Sequence, residues 1–287
     1  MTSPVTASKS IPGATTLKAT HKGASGPTPD TFPPSLSFRV MLRTFLRTYL
    51  VGANYNTRGM QNVGLALALE PGLAVIHRNV QELRKARRRS LQHYNTHPFW
   101  TPLLAGIFLS LERDIARGVL PPPMLQRVKN TTTYTLSALG DSFFSGAALG
   151  FCVLVLTLLL VHGWTELAWT WLICCFLGLQ VFKLTTFVGG FREGIAFLSR
   201  LKRWNLINWG QRIKLLNAGL LLLLWWRLWP ELGGEGGPEW AWIFWTVAVL
   251  CCAFGYFRLR VSRVWFVLAF VAIWVGHWTV WSGGLWF

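Results

Sequence analysis

Beyond Gly140 the chain is a succession of apolar runs, at 142–161, 167–191, 217–229, 240–257 and 264–281. A helix needs about 20 such residues to cross the hydrocarbon core of a bilayer. The first, second, fourth and fifth runs are near that length, and the third is short. Charged residues make up only 14% of the chain, against about 25% in soluble domains. Sixteen of the 17 tryptophans lie at or beyond Trp164, and indole rings gather where one end of a side chain is apolar and the other wet. An ordinary soluble enzyme is excluded. Buried helices of a large soluble complex could give similar runs, but the loop charges would then have no reason to alternate.

They do alternate. The connection at 192–214 carries Arg192, Arg200, Lys202, Arg203, Arg212 and Lys214, and the link before the last run carries Arg258, Arg260 and Arg263. The loops at 162–166 and 231–239 carry no Lys or Arg. Basic loops stay on the cytoplasmic side, so the expected topology is multi-pass, with the N-terminus inside and the C-terminus periplasmic or extracellular. The fold class expected is all-α, a polytopic membrane protein whose amphipathic and re-entrant helices precede about five transmembrane helices.

Three regions follow: a disordered polar tail at 1–35, a basic cytoplasmic-side helical region at 36–140, and a transmembrane bundle at 141–287. The middle region and tail hold 17 of the 28 Lys and Arg residues and 5 of the 11 acidic ones. Arg39, Arg43 and Arg47 recur every four residues opposite Phe38, Met41, Leu42, Phe45 and Tyr49, the pattern of an amphipathic helix. Such a helix lies on anionic lipid or packs on a partner subunit. The apolar runs at 63–76 and 99–111 are too short to span, and Pro71 and Pro102 are expected to interrupt them. They read as core helices or re-entrant hairpins. Arg84, Lys85, Arg87, Arg88 and Arg89 lack interleaved aromatic residues or a reading motif, so no nucleic acid is expected and a solvated or lipid-facing helix is.

Within the spans, Ser142, Gly146 and Gly150 form a small-residue stripe suited to close helix packing, such as a subunit contact. Lys183 lies inside the second run, where a charge either pairs or snorkels to the interface. The five cysteines show no metal-binding or disulfide spacing. No nucleophile sits beside a base, and no catalytic residue, metal or cofactor is expected.

Three polar strings remain unexplained by periodicity: NTRGMQNVG at 56–64, HYNTHPF at 93–99 and LGDSFF at 139–144. Asn56, Met60, Gln61 and Gly64, then Asn95, Thr96, Pro98 and Phe99, then Gly140, Asp141 and Phe144 resemble, in order and spacing, motifs of the IID subunit of the mannose/fructose/sorbose family of bacterial sugar phosphotransferase systems. The resemblance is specific over 56–144 and compositional beyond. It implies a non-catalytic subunit of the bacterial inner membrane that carries no phosphorylated residue. Such a subunit forms a sugar-translocating unit with a IIC subunit and is served by soluble IIA and IIB phosphocarriers. Arg58 and Gly59 stand where the family usually has Glu-Arg, and Ser145 to Leu149 replace its usual Trp-Gly-Thr. These departures motivate a second reading, a transport-deficient sugar-sensing or scaffold protein of the membrane. Amides and carboxylates satisfy sugar hydroxyls as paired donors and acceptors, so Asn56, Gln61, Asn62, Asn95 and Asp141 are the candidate hexose-binding residues. Each has an alternative role as a helix cap or a turn residue. His97 reads as structural.

Overall fold

The amphipathic pattern at the start becomes helix α1 (Phe38–Arg47), prolonged by a 3-10 segment Thr48–Asn54. A computed structural model describes residues 36–232 and eight isolated helical positions between 243 and 271. The tail at 1–35 and the runs at 240–257 and 264–281 therefore lie outside the continuously described residues. After α1 come α2 (Asn62–Ile76), α3 (Val80–Ser90), α4 (Thr101–Ala116) and α5 (Pro123–Gly140). A π-helical segment Asp141–Ala148 joins α5 to α6 (Leu149–Val161), and α7 (Thr165–Glu193), α8 (Ala196–Arg203) and α9 (Leu206–Leu232) follow.

Among the described residues, two helical rods are long and apolar enough to cross a bilayer: the continuous 39-residue Pro123–Val161 and the 29-residue α7. At 1.5 Å per residue they measure about 58 and 43 Å, against about 30 Å of hydrocarbon. The α5 portion of the first rod therefore projects well beyond the lipid. Only 17% of the most apolar window of each rod is buried within the chain, unlike the core helix of a soluble protein. Val153, Leu160, Leu172, Ile173, Phe176 and Leu177 face outward, a surface that lipid or a partner must cover. The third apolar run is longer than its sequence shows, because α9 starts at Leu206 and draws Asn208, Gln211, Arg212 and Lys214 of the expected connection into its first turns.

The core is built around α4, whose residues from Thr101 to Glu112 are all buried. It packs most extensively along α7, and also meets α1, α2 and α5. The crossing with α7 is a backbone contact. A Cβ on Gly106 would lie 2.3 Å from the Phe187 carbonyl oxygen, and one on Gly190 would lie 2.6 Å from that of Leu103. Reciprocal glycines let helix axes approach as small-residue motifs do in membranes.

The two prolines do not interrupt the short apolar runs. Pro102 sits in the first turn of α4, where its missing N–H has no helical partner to lose. Helix α2 continues through Pro71. An internal proline orphans the carbonyl four residues earlier, here that of Leu67, and Arg47 Nη1 donates to that oxygen at 3.1 Å. The arginine expected at lipid phosphates thus repairs a backbone defect inside the fold.

Other charges also bind within the chain, Arg87 at the exposed surface and Glu112 and Lys129 in the interior. Arg87 binds Glu70 through Nε at 3.0 Å and through Nη2, tying α3 to α2. Glu112 is 1% exposed and lies at the junction of three elements. Its carboxylate accepts Arg89 Nε at 2.9 Å and Nη2 at 2.7 Å, and meets His77 Nε2 at 2.9 Å. Lys129 is likewise 1% exposed. Its ammonium donates to the carbonyls of Ser90 and Gln92, both at 2.9 Å, closing the C-terminal end of α3. The basic stretch at 84–89 is therefore partly internal, contrary to a wholly solvated or lipid-facing helix.

Burial alone would push the Glu112 carboxyl up, but the hydrogen bonds from His77 and Arg89 outweigh it and hold it below its ordinary value of 4.5. Its contribution to stability is present in full above pH 4.5 and is lost as pH falls through the lowered native value. Glu112→Gln leaves Arg89 buried without its counter-ion and should cost about 3–5 kcal/mol. Thermal unfolding in detergent across pH checks this: the wild type should lose stability on acidification, and the variant should be weaker at neutral pH with a flatter acid limb.

Candidate functional site

The three polar strings converge on one end of the α4–α7 pair. The first forms a closed loop. The N–H of Asn56 donates to the Met60 carbonyl and the N–H of Met60 to that of Asn56, both at 2.9 Å. Inside the loop, Asn56 Oδ1 accepts the N–H groups of Gly59 at 2.8 Å and Arg58 at 3.2 Å. Its Nδ2 donates to the Met60 carbonyl at 3.1 Å and to Asn62 Oδ1 at 2.8 Å. Asn62 Oδ1 also accepts its neighbour's N–H at 2.8 Å, and its Nδ2 donates to the Leu91 carbonyl. Met60 adopts φ 61°, a left-handed conformation that the surrounding bonds enforce. The amides of Asn56 and Asn62 are thus committed within the loops.

The second string pairs with the first. Gln61 N–H donates to the Tyr94 carbonyl at 2.8 Å, and Tyr94 N–H to that of Gly59 at 3.2 Å. Tyr94 is fully buried, and burial raises its hydroxyl above the ordinary phenol range. Gln61 Oε1 accepts only a long bond from Thr96 N–H at 3.4 Å, and its Nε2 has no partner among the described residues. Asn95 is half-buried and makes no side-chain hydrogen bond there either.

The third string packs beneath the second. A Cβ on Gly140 would lie 2.3 Å from His97 Cβ, so only glycine lets this turn rest on the helix. Phe144 is ringed by His97, Phe99, Trp100, Phe143 and Phe182 at centroid distances of 4.8–5.4 Å. His97 Nδ1 accepts Phe99 N–H at 3.3 Å, so Nε2 carries the proton it donates to Ser145 Oγ at 3.0 Å. Burial holds His97 below its ordinary value, opposed by Asp141 and aided by Lys183. In this tautomer the imidazole cannot act as a base toward the serine. Asp141 is exposed at the start of the π-helical segment, where wide turns often mark functional sites. Gly146 and Gly150 face Lys214 and Asn217 of α9 within the same chain, Asn217 Nδ2 donates to the Ala147 carbonyl at 3.0 Å, and Ser142 is exposed.

Where the first two strings meet α7 lies a cavity of about 170 Å³, which no residue of 139–144 lines. Thr48, Tyr49, Gln61, Thr101 and Lys183 supply its polar wall, and Pro98 and Pro102 shape its floor. The Lys183 ammonium neither pairs with a carboxylate nor runs to the end of α7. It lies 4.4 Å from the ring centroid of Tyr49 and 4.9 Å from that of Phe99, within cation–π range. Tyr49 Oη donates to Gln180 Oε1. Thr48, Tyr49 and Thr101 were not candidates from sequence, because Tyr49 falls in the apolar stripe of α1 and the threonines lie in no polar string. Among the described residues no cluster of three His, Cys, Asp or Glu side chains could hold a metal.

Fold and site define a helical membrane protein with a small polar cavity set against a membrane-crossing helix. The family model described as "PTS system mannose/fructose/sorbose family IID component" matches residues 35–220, and the chain belongs to that family. The PTS system mannose-specific EIID component of Escherichia coli (strain K12) is 32% identical over 104 residues, 36% of this chain and 37% of that relative. The chain thus matches little more than a third of that relative's length. A solved structure titled "Structure of membrane protein" shares the fold at TM-score 0.65 and 19% identity, over 86% of this chain and 98% of its own. That of the mannose transporter ManYZ with microcin E492 aligns over 86% of this chain at 19% identity and TM-score 0.49.

Asn56→Ala should remove at least two loop bonds worth about 1 kcal/mol each. In limited proteolysis of the detergent-solubilised chain, trypsin cleavage after the exposed Arg58 should rise roughly tenfold. Unchanged cleavage would show that the loop does not depend on this amide.

Proposed function

We propose that the chain is the IID subunit of a phosphoenolpyruvate-dependent sugar permease. It forms the translocation unit with a IIC subunit in the bacterial inner membrane, and soluble IIA and IIB components carry the phosphate. The observation that carries this reading is that the three family-like strings pack on one another beside α7, with Gln61 of the first and Pro98 of the second lining a small cavity there. The cavity's size suits part of a hexose, with the rest of the passage supplied by the IIC chain. In this reading Gln61 presents its free Nε2 to a sugar hydroxyl. Asn56 and Asn62 act by shaping the loop that holds it, while Asn95 and Asp141 do not line the cavity and would meet the sugar only outside it. The basic half faces the cytoplasm and α1 lies against anionic lipid.

Co-expression with the matching IIC chain should give a complex stable in mild detergent. With the soluble components and phosphoenolpyruvate, that complex should take up and phosphorylate a hexose. Gln61→Leu should leave the complex intact and raise the half-saturating sugar concentration about three- to tenfold, the value of one hydrogen bond. Separate purification of the two chains would overturn the proposal. A stable complex without uptake would favour the sensing or scaffold reading.

A further inference from the structure

We infer that Lys183 is the docking point for a carboxylate carried by the companion membrane chain, received at the Lys183 and Thr101 side of the cavity. The companion's presence rests on the proposed function. What the inference adds is the chemistry of the contact.

The ammonium is surrounded asymmetrically. One side meets the faces of Tyr49 and Phe99, whose quadrupoles attract a cation without neutralising it. The other side meets the cavity. The described carboxylates are engaged elsewhere or apart from it: Glu70 with Arg87, Glu82 with Lys85, Glu112 with Arg89, Asp114 with Arg113 and Glu193 with Arg200. Neither Asp141 nor Glu166 forms an ion pair with Lys183. A charge on a membrane-crossing helix is costly unless paired, and such residues face partners or water-filled paths. A sugar hydroxyl would accept a hydrogen bond from Lys183 yet leave its charge uncompensated. A carboxylate satisfies both requirements.

The surroundings fit an occupant brought by another chain. The cavity holds one acidic side chain but no helix or strand. Thr101 offers a hydroxyl for the carboxylate oxygen that Lys183 does not reach. The apolar side chains adjoining the cavity's residues along the chain, Leu50, Val181 and Leu184, are exposed. These exposed side chains on the same elements leave apolar surface that a companion chain could cover. Removing one member of the lysine–carboxylate pair leaves the other charge buried, which weakens association strongly.

The test uses the full-length chain co-expressed with its IIC partner and scores the partner co-eluting in mild detergent. Lys183→Glu should reduce co-elution at least tenfold, and Lys183→Met should reduce it less. Replacing the matching acidic residue of the partner by Lys, found by scanning its membrane-embedded carboxylates, should restore co-elution with Lys183→Glu alone. Rescue by charge exchange excludes a simple folding defect. If the wild-type chain fails to retain the partner, the proposed function falls and this inference with it. If the wild type retains it and Lys183→Glu retains it equally, or no exchange rescues, this inference alone is overturned. A Lys183→Gln complex that is intact but needs a higher sugar concentration would assign Lys183 to the sugar and overturn the inference too.

Discussion

The backbone contact between α4 and α7 is the constraint on which the rest of the structure depends. With Gly106 against the Phe187 carbonyl and Gly190 against that of Leu103, the two backbones approach directly at the crossing, and α4 is buried from Thr101 to Glu112. A helix so enclosed cannot carry a stray polar group. Its one buried carboxylate, Glu112, is accordingly held by Arg89 and His77. The loops leading into α4 are thereby fixed against α7, and the cavity forms where Thr101 and Pro102 at its beginning meet Lys183.

The high positive charge acquires a different meaning in this fold. Several basic residues close the structure rather than wait for phosphate. Arg47 replaces the N–H that Pro71 lacks, Lys129 holds the last carbonyls around α3, and Arg87 and Arg89 bind carboxylates of α2 and α4. Lys129 and Arg89 answer carbonyl and carboxylate groups that would otherwise be unsatisfied away from water, the costly condition in a packed helical core, whereas Arg47 and Arg87 make their bonds at the exposed surface. Lys202 and Arg203 of α8 and Arg212 and Lys214 of α9 lie beside the membrane-crossing helices, where their charge can set orientation.

Much of the architecture was legible from the chain. The 3.6-residue period gave α1, and hydropathy located the first two spans. The three polar strings identified the segments that meet at the site. What stayed hidden was long-range pairing. Nothing local distinguishes Gly106 and Gly190 from other glycines, or Arg89 and Lys129 from solvated neighbours in a basic stretch. Their burial is decided by elements far away in the chain. The prolines misled for a similar reason. Pro71 reads as a break until Arg47 is seen beside the freed carbonyl. Lys183 was visible as an anomaly, but its aromatic neighbours Tyr49 and Phe99 belong to separate segments that only the fold brings together.

In the proposed arrangement the cavity between Gln61 and Lys183 is half of a passage that a second membrane chain completes. An experimental structure of the co-purified pair with a hexose bound tests it most directly. The account predicts the Gln61 and Lys183 cavity turned toward the companion chain, with sugar density in hydrogen-bonding reach of Gln61. A cavity facing lipid, with the sugar held elsewhere, would contradict it.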